Sequence, residues 1–294
     1  MVLCVFFALL TAVSNGTASV LQRRAAAHAP TADTMRFSLV RDLLRQRVWL
    51  GGIGMTIVAA VCQAVALATG PIAVVQPIFV VELPATLLLA GLVFKRGLPA
   101  RAWWAVGAMA VGLAMAMAAA APGGGRETVH PQWIWVPALA ITGGFVVVVV
   151  SGALGMSGSP RAALFALAAA CGYALTAALM KDAMGGLSHH GWAALFTSWQ
   201  LYATAAAGVG ALFLLQNALQ AASLVSSQPV LSLCDPLISV AYGVTLFGEV
   251  VRTGWWLLPE LLGMVLIGIG CSVLAHSPLV ANPPKPPPPP SPGR

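Results

Sequence analysis

Charge is what this chain has least of: 8% of its 294 residues are Asp, Glu, Lys or Arg, against roughly 25% in an average soluble domain. That scarcity excludes a water-soluble fold, which could not cover itself with so little polar surface. Cysteine is sparse as well. Cys4, Cys62, Cys171, Cys234 and Cys271 fall singly in apolar segments, without CxxC spacing or a neighbouring histidine pair, and read as small buried hydrophobes rather than disulfides or metal ligands. Enzyme motifs are missing too. The run Gly123-Gly124-Gly125 has neither the lysine nor the strand-to-helix setting of a nucleotide loop. No nucleophile, base and orienting acid cluster together, so neither an enzyme nor a cofactor is expected. The net charge of +7 and pI of about 9.7 would raise nucleic acid in a soluble chain. Here the basic residues sit between apolar segments, which is the positive-inside pattern, and no nucleic-acid partner is expected.

What abounds is hydrocarbon: 59% of residues are hydrophobic and the mean hydropathy is +0.88. A bilayer takes about 20 apolar residues per spanning helix. Stretches of that length fall at residues 3–21, 48–69, 71–94, 102–121, 132–151, 161–180, 193–215, 223–247 and 255–276. They predict an all-α integral membrane protein of about nine transmembrane helices. Gln216, Asn217 and Gln220 interrupt the apolar run before the eighth helix, so a short or broken helix is open there. A secretory signal carries positive charge before its apolar core. Arg23 and Arg24 follow it instead, so the first segment reads as a retained helix.

Lys and Arg near helix ends stay cytoplasmic. With the N-terminus outside and the C-terminus inside, twelve of the 15 fall on inner loops and three, Arg126, Lys181 and Arg252, fall outside. The expected parts are a first repeat over 1–121 with a basic cytoplasmic loop at 22–47, a linking helix at 132–151, a second repeat over 161–277 and a proline-rich, disordered cytoplasmic tail at 278–294. Within the loop, residues 34–49 place Met35, Leu39, Leu43 and Leu44 on one side and Arg41 and Arg45 on another. That pattern fits a helix lying on anionic lipid, and it fits an ordinary solvated linker equally. The tail has the composition of an extended segment and of a proline-motif ligand.

The repeat shows as a constant offset of 152 residues. Gln76-Pro77 falls on Gln228-Pro229, Pro84 on Pro236, Gly91 on Gly243 and Trp103-Trp104 on Trp255-Trp256. Five spans separate the first helix from the sixth, and an odd number inverts the second copy. Inverted repeats let two halves exchange conformations around one midplane site, which is a secondary-transporter architecture.

The residues also resemble a family. Leu246-Phe247-Gly248-Glu249, then Trp255-Trp256, then Gly263 to Gly270 in a Gly-x-x-Leu-Ile-x-x-Gly pattern, resemble the end of the second repeat in the drug/metabolite transporter superfamily, as in EamA-like permeases. Residues 92–112 resemble the same region of the first repeat, with Lys95-Arg96 where the glutamate would stand. Nine spans, with 14–25 and 68–77, are similar to the NIPA-like magnesium-transporter branch. The resemblance implies transport across the plasma membrane, with export as the direction.

Carboxylates inside a membrane are costly enough to be functional candidates. Glu82 lies mid-way along the third helix and Asp235 mid-way along the eighth, each next to a helix-disturbing proline. Removal from water favours the neutral form of an acid, which suits binding and releasing a proton; protonated packing residues are the plainer alternative. Gln76, Pro77, Gln228 and Pro229 join them as candidate pathway groups, because prolines free carbonyls for a cation or polar solute. Asn15, with Thr11, Ser14 and Thr17, makes the first helix polar on one side, either lining a path or bonding its neighbours. Glu260 is near enough to the outer surface to snorkel or meet Arg252, and Tyr173 and Tyr202 could stack on an organic solute or simply pack. His189 and His190 are a histidine pair without an acid partner in sequence, a weak metal signal.

Three functions stay open. The first is a secondary carrier of a small solute by alternating access, with proton exchange at Glu82 and Asp235. The second is a Mg²⁺ transporter in which those two acids meet the ion. The third is a membrane scaffold presenting its basic loop and proline tail. The substrate is a small molecule or ion, and a homodimer is compatible with all three.

Overall fold

The computed structural model describes residues 1–27, 47–93, 97–222 and 224–276. The expectations for the basic loop at 28–46, for Lys95-Arg96 and for the tail from 277 onward lie outside the described residues. Among the described residues, nine stretches are long and apolar enough to cross a bilayer, from Val2–Gln22 to Gly254–Ala275. Helix is what hydrocarbon demands, since each backbone N–H and C=O must find its partner within the segment.

In chain order the helices are α1 (Val2–Ala27), α2 (Arg47–Thr69), α3 (Ile72–Ile78), α4 (Glu82–Val93), α5 (Ala100–Ala120), α6 (Trp135–Leu154), α7 (Gly158–Thr197), α8 (Trp199–Ala221), α9 (Leu224–Phe247) and α10 (Leu257–Ala275). A 3₁₀ turn, Phe79–Val81, joins α3 to α4, so together they make the third span. Pro77 and Pro84 explain the change of pitch: neither offers an N–H to the carbonyl four residues back. The tighter bonding there sends the Glu82 N–H to the Phe79 carbonyl.

The helices pack mainly as α1 with α2, α5 with α10, and α7 with both α8 and α9. Alpha-helices approach most closely in lipid where small residues face each other. At the α5–α10 crossing a Cβ on Gly112 would stand 2.6 Å from the Gly263 carbonyl oxygen, so only glycine fits. The third span and the Gly158–His189 part of α7 are the most enclosed, while Gln132–Leu154 and Trp199–Ala221 are mostly at the surface. That surface is apolar: Ile141, Val148 and Phe213 are each about 70% exposed, which in water would be an aggregation patch and in lipid is the expected face. The described residues form a nine-span helical bundle of the multi-pass membrane type.

Several boundaries differ from the sequence reading, among them the start of α8, at Trp199 rather than at residue 193. Expected to stop at residue 180, α7 instead runs on through Lys181 and Asp182 to Gly191, whose φ of 77° breaks it. Buried partners for both charged side chains let the helix continue, as described below. In α8 the polar residues at 216–220 do not interrupt the helix; Asn217 donates back to the Phe213 carbonyl at 2.8 Å, and the chain turns extended only at Ala222. A short antiparallel pairing of β1 (Gly123–Gly124) with β2 (Glu249–Val250) was not foreseen.

Candidate functional site

Four helices bring polar side chains together at mid-bundle. Glu82 opens α4, near the centre of the third span. Asn15 of α1 reaches it, with Nδ2 donating to Oε2 at 3.3 Å. Thr86, one turn on, donates to the Glu82 carbonyl at 2.8 Å and so occupies a backbone acceptor near the Pro84 break. On α9, Ser239 donates to Asp235 Oδ1 at 3.3 Å, again one turn along. Glu82 and Asp235 lie within electrostatic reach of each other, and Tyr173 of α7 lies within reach of both. Cys171 and Cys234 border the same group.

The electrostatics of this cluster are one-sided. Among the described residues neither Glu82 nor Asp235 is ion-paired; the pairs formed are Lys181–Glu249 and His189–Glu127. Both acids keep partial accessibility although they sit mid-span. Each has one neutral donor that can also accept: an amide on Glu82, a hydroxyl on Asp235. Such an arrangement can hold a carboxylate or its protonated form, a cation or an amine. Among the described residues no group of three or more His, Cys, Asp or Glu could hold a metal ion.

The other candidate residues are distributed differently. Gln76 is buried, and its Nε2 has no hydrogen-bond partner among the described residues. It lies six residues before Glu82, or about 9 Å along a helix axis, and Gln228 and Pro229 lie a similar distance before Asp235. Pro77 lines an apolar cleft that also contains Glu260. Tyr202 is 64% exposed on α8 and donates to the Phe196 carbonyl at 2.8 Å, away from the cluster. His189 meets an acid after all, Glu127 Oε2 at 3.0 Å, on the exposed rim.

Sequence reasoning missed a second polar assembly, at the end of the bundle where Cys4, Leu67, Ile72, Val129, Trp135 and Phe247 pack together. Lys181 was expected in an outer loop. Its Nζ instead donates to the Gly70 carbonyl at 2.8 Å and pairs with Glu249 Oε1 at 3.1 Å, above the Phe247 ring. Glu249 in turn accepts the free N–H groups of Ile72 at 2.7 Å and Ala73 at 2.9 Å, capping the third span. Asp182 points the other way. It accepts from the Val129 N–H and Trp135 Nε1, both at 2.8 Å, and from Gln200 Nε2 at 2.9 Å. The signal available in sequence was the adjacent Lys-Asp pair, since charges at a membrane edge that are not solvated must be paired.

No family model matches the sequence. No solved structure matches it either. The chain is similar to an uncharacterized protein of Corynebacterium glutamicum, 25% identical over 264 residues that cover 86% of this chain and 88% of that protein. The similarity therefore spans nearly the whole bundle rather than one segment, and brings no activity with it.

Proposed function

We propose that this chain is a secondary transporter of the drug/metabolite superfamily, moving a small protonatable or cationic solute across the plasma membrane by alternating access. The observation that carries this reading is the pair Glu82 and Asp235. They come from the third and eighth spans, sit mid-bundle within electrostatic reach, and have no basic partner among the described residues.

The chemistry of exchange follows from their neighbours. A proton arriving on Glu82 Oε2 turns an acceptor into a donor, and the Asn15 amide answers by presenting its oxygen in place of Nδ2. The Ser239 hydroxyl answers at Asp235 by rotating. Neither acid loses its hydrogen bond on changing state, so a proton and a cationic solute can replace one another at low cost. Tyr173 flanks the pair and would be the residue to stack on an organic solute.

Alternating access needs one end closed. The Lys181–Glu249 pair and the Asp182 network join α7 to the α2–α3 turn, to the start of α6 and to α8 at the Met1 end. With an inverted repeat and the N-terminus outside, as the twelve-to-three charge bias and the 152-residue offset support, these contacts would serve as the outer gate.

The test is flux by the purified chain in liposomes holding a pH-sensitive dye, against amino acids, cationic drugs and Mg²⁺. Solute-evoked proton movement is the expected result. Mg²⁺ flux with no proton movement would move the assignment to a divalent-cation carrier, and silence with folded protein would remove the transport reading.

A further inference from the structure

A separate carboxylate lies outside the central cluster. Glu260, in the first turn of α10, lines a cleft walled by α3, α5, α9 and α10. It is the one charged residue among the sixteen that line it, the rest being almost wholly aliphatic, proline or methionine. The cleft opens sideways. Leu237 on its wall is 44% exposed, and Leu257 and Leu261 beside Glu260 on α10 are 46% and 56% exposed, so its mouth faces the bilayer.

Helical geometry sets this cleft apart from the carboxylate pair. Ser232, Leu233, Pro236, Leu237 and Val240 of α9 line it, and at 100° per residue they form one face, from which Asp235 projects well away. On the third span Ala73, Pro77 and Val80 line it, and Glu82 is not among its lining residues. The cleft is a lipid-side compartment behind the α3 and α9 wall.

Its depth is marked. Trp255 and Trp256 are 86% and 50% exposed, which is the interfacial position of tryptophan in membrane proteins. Glu260 lies four residues further on, about 6 Å, and its side chain leans back toward the helix start. Arg252 stacks over the Trp256 ring at 5.1 Å, and Val251 beside it borders the cleft. The mouth therefore carries a guanidinium and a carboxylate at headgroup level over an apolar slot.

The geometry points to a binding site for a phospholipid with a primary-amine headgroup, of the phosphatidylethanolamine class. Its phosphate meets Arg252, its ammonium meets Glu260 and an acyl chain fills the cleft. A simple cationic amphiphile is disfavoured by Arg252, and an anionic lipid is disfavoured by Glu260. The site does not depend on the transport reading, because it lies on the other side of the α3 and α9 wall.

Native mass spectrometry of the delipidated full chain, titrated with dioleoyl phosphatidylethanolamine or dioleoyl phosphatidylglycerol, tests it. The ethanolamine lipid should be retained about fivefold better, the scale of one partly exposed ion pair. Glu260→Gln should erase most of that preference while leaving total lipid binding intact, and Arg252→Gln should weaken retention of both lipids. Equal retention by the unaltered chain, a preference that survives Glu260→Gln, or undiminished retention by Arg252→Gln overturns the proposal. Because both side chains are partly or fully exposed, either variant alone suffices if the other fails to fold.

Discussion

Asp182 and Glu249, at the Met1 end of the bundle, and Glu82 and Asp235, at its middle, are carboxylates in very different company. Each acid at the end is fully engaged. Glu249 holds two backbone N–H groups and a lysine, and Asp182 holds one backbone N–H, an indole and an amide. Each acid at the middle has one neutral side-chain donor at 3.3 Å. A buried charge held by three donors through both of its oxygens is fixed in place, because moving it forfeits all its partners at once. A charge with spare acceptor capacity is poised to take a ligand. The difference separates the proposed latch from the proposed binding pair, although both use the same two residue types.

Substitutions can break this comparison, beginning with the largest effect. Lys181→Met leaves Glu249 buried without its cation, and should cost about 3–5 kcal/mol of stability, read as a large fall in Tm of the detergent-solubilised chain. Adding Glu249→Gln to that variant should recover much of the loss, since removing both charges removes the orphan. Next, Trp135→Phe deletes one donor to Asp182 and should cost about 1–3 kcal/mol by thermal unfolding. Glu82→Gln and Asp235→Asn should each change stability by no more than about 1 kcal/mol, because each side-chain amide can still accept from Asn15 or Ser239. Tyr202→Phe removes one exposed hydrogen bond and should lie within about 0.5 kcal/mol of the parent chain. A reversal of this order, with the mid-bundle variants unfolding and Lys181→Met tolerated, would mean the roles are exchanged.

Much of the bundle was legible because hydropathy is a sufficient signal for a span. The overshoot of α7 was not. Counting Lys181 and Asp182 as loop residues assumes they meet water, and hydropathy has no means of knowing that Glu249, distant in sequence by 68 residues, supplies the partner. Glu249 itself was noticed as part of a family-like motif, yet its contact with the α3 amides depends on how α9 ends against the α2–α3 turn. In the candidate site, Glu82, Asp235, Asn15 and Tyr173 could each be named from the sequence. Their sharing one compartment rests on which faces of α1, α4, α7 and α9 turn inward. A helix apolar all round gives no periodic signal for that choice. Tyr173 facing the acids and Tyr202 facing outward illustrate the point, since both lie in equally apolar surroundings in sequence.

The most direct test of the poised-pair claim joins two readings on one variant. The double substitution Glu82→Gln with Asp235→Asn is reconstituted, and its Tm and its solute-evoked proton flux are measured beside those of the unaltered chain. The account predicts a Tm within a few degrees, about what 1 kcal/mol produces in a chain of this size, with proton flux reduced at least about tenfold, the effect of losing roughly 1.4 kcal/mol or more of transport free energy. Full proton flux from the doubly neutral chain would contradict it.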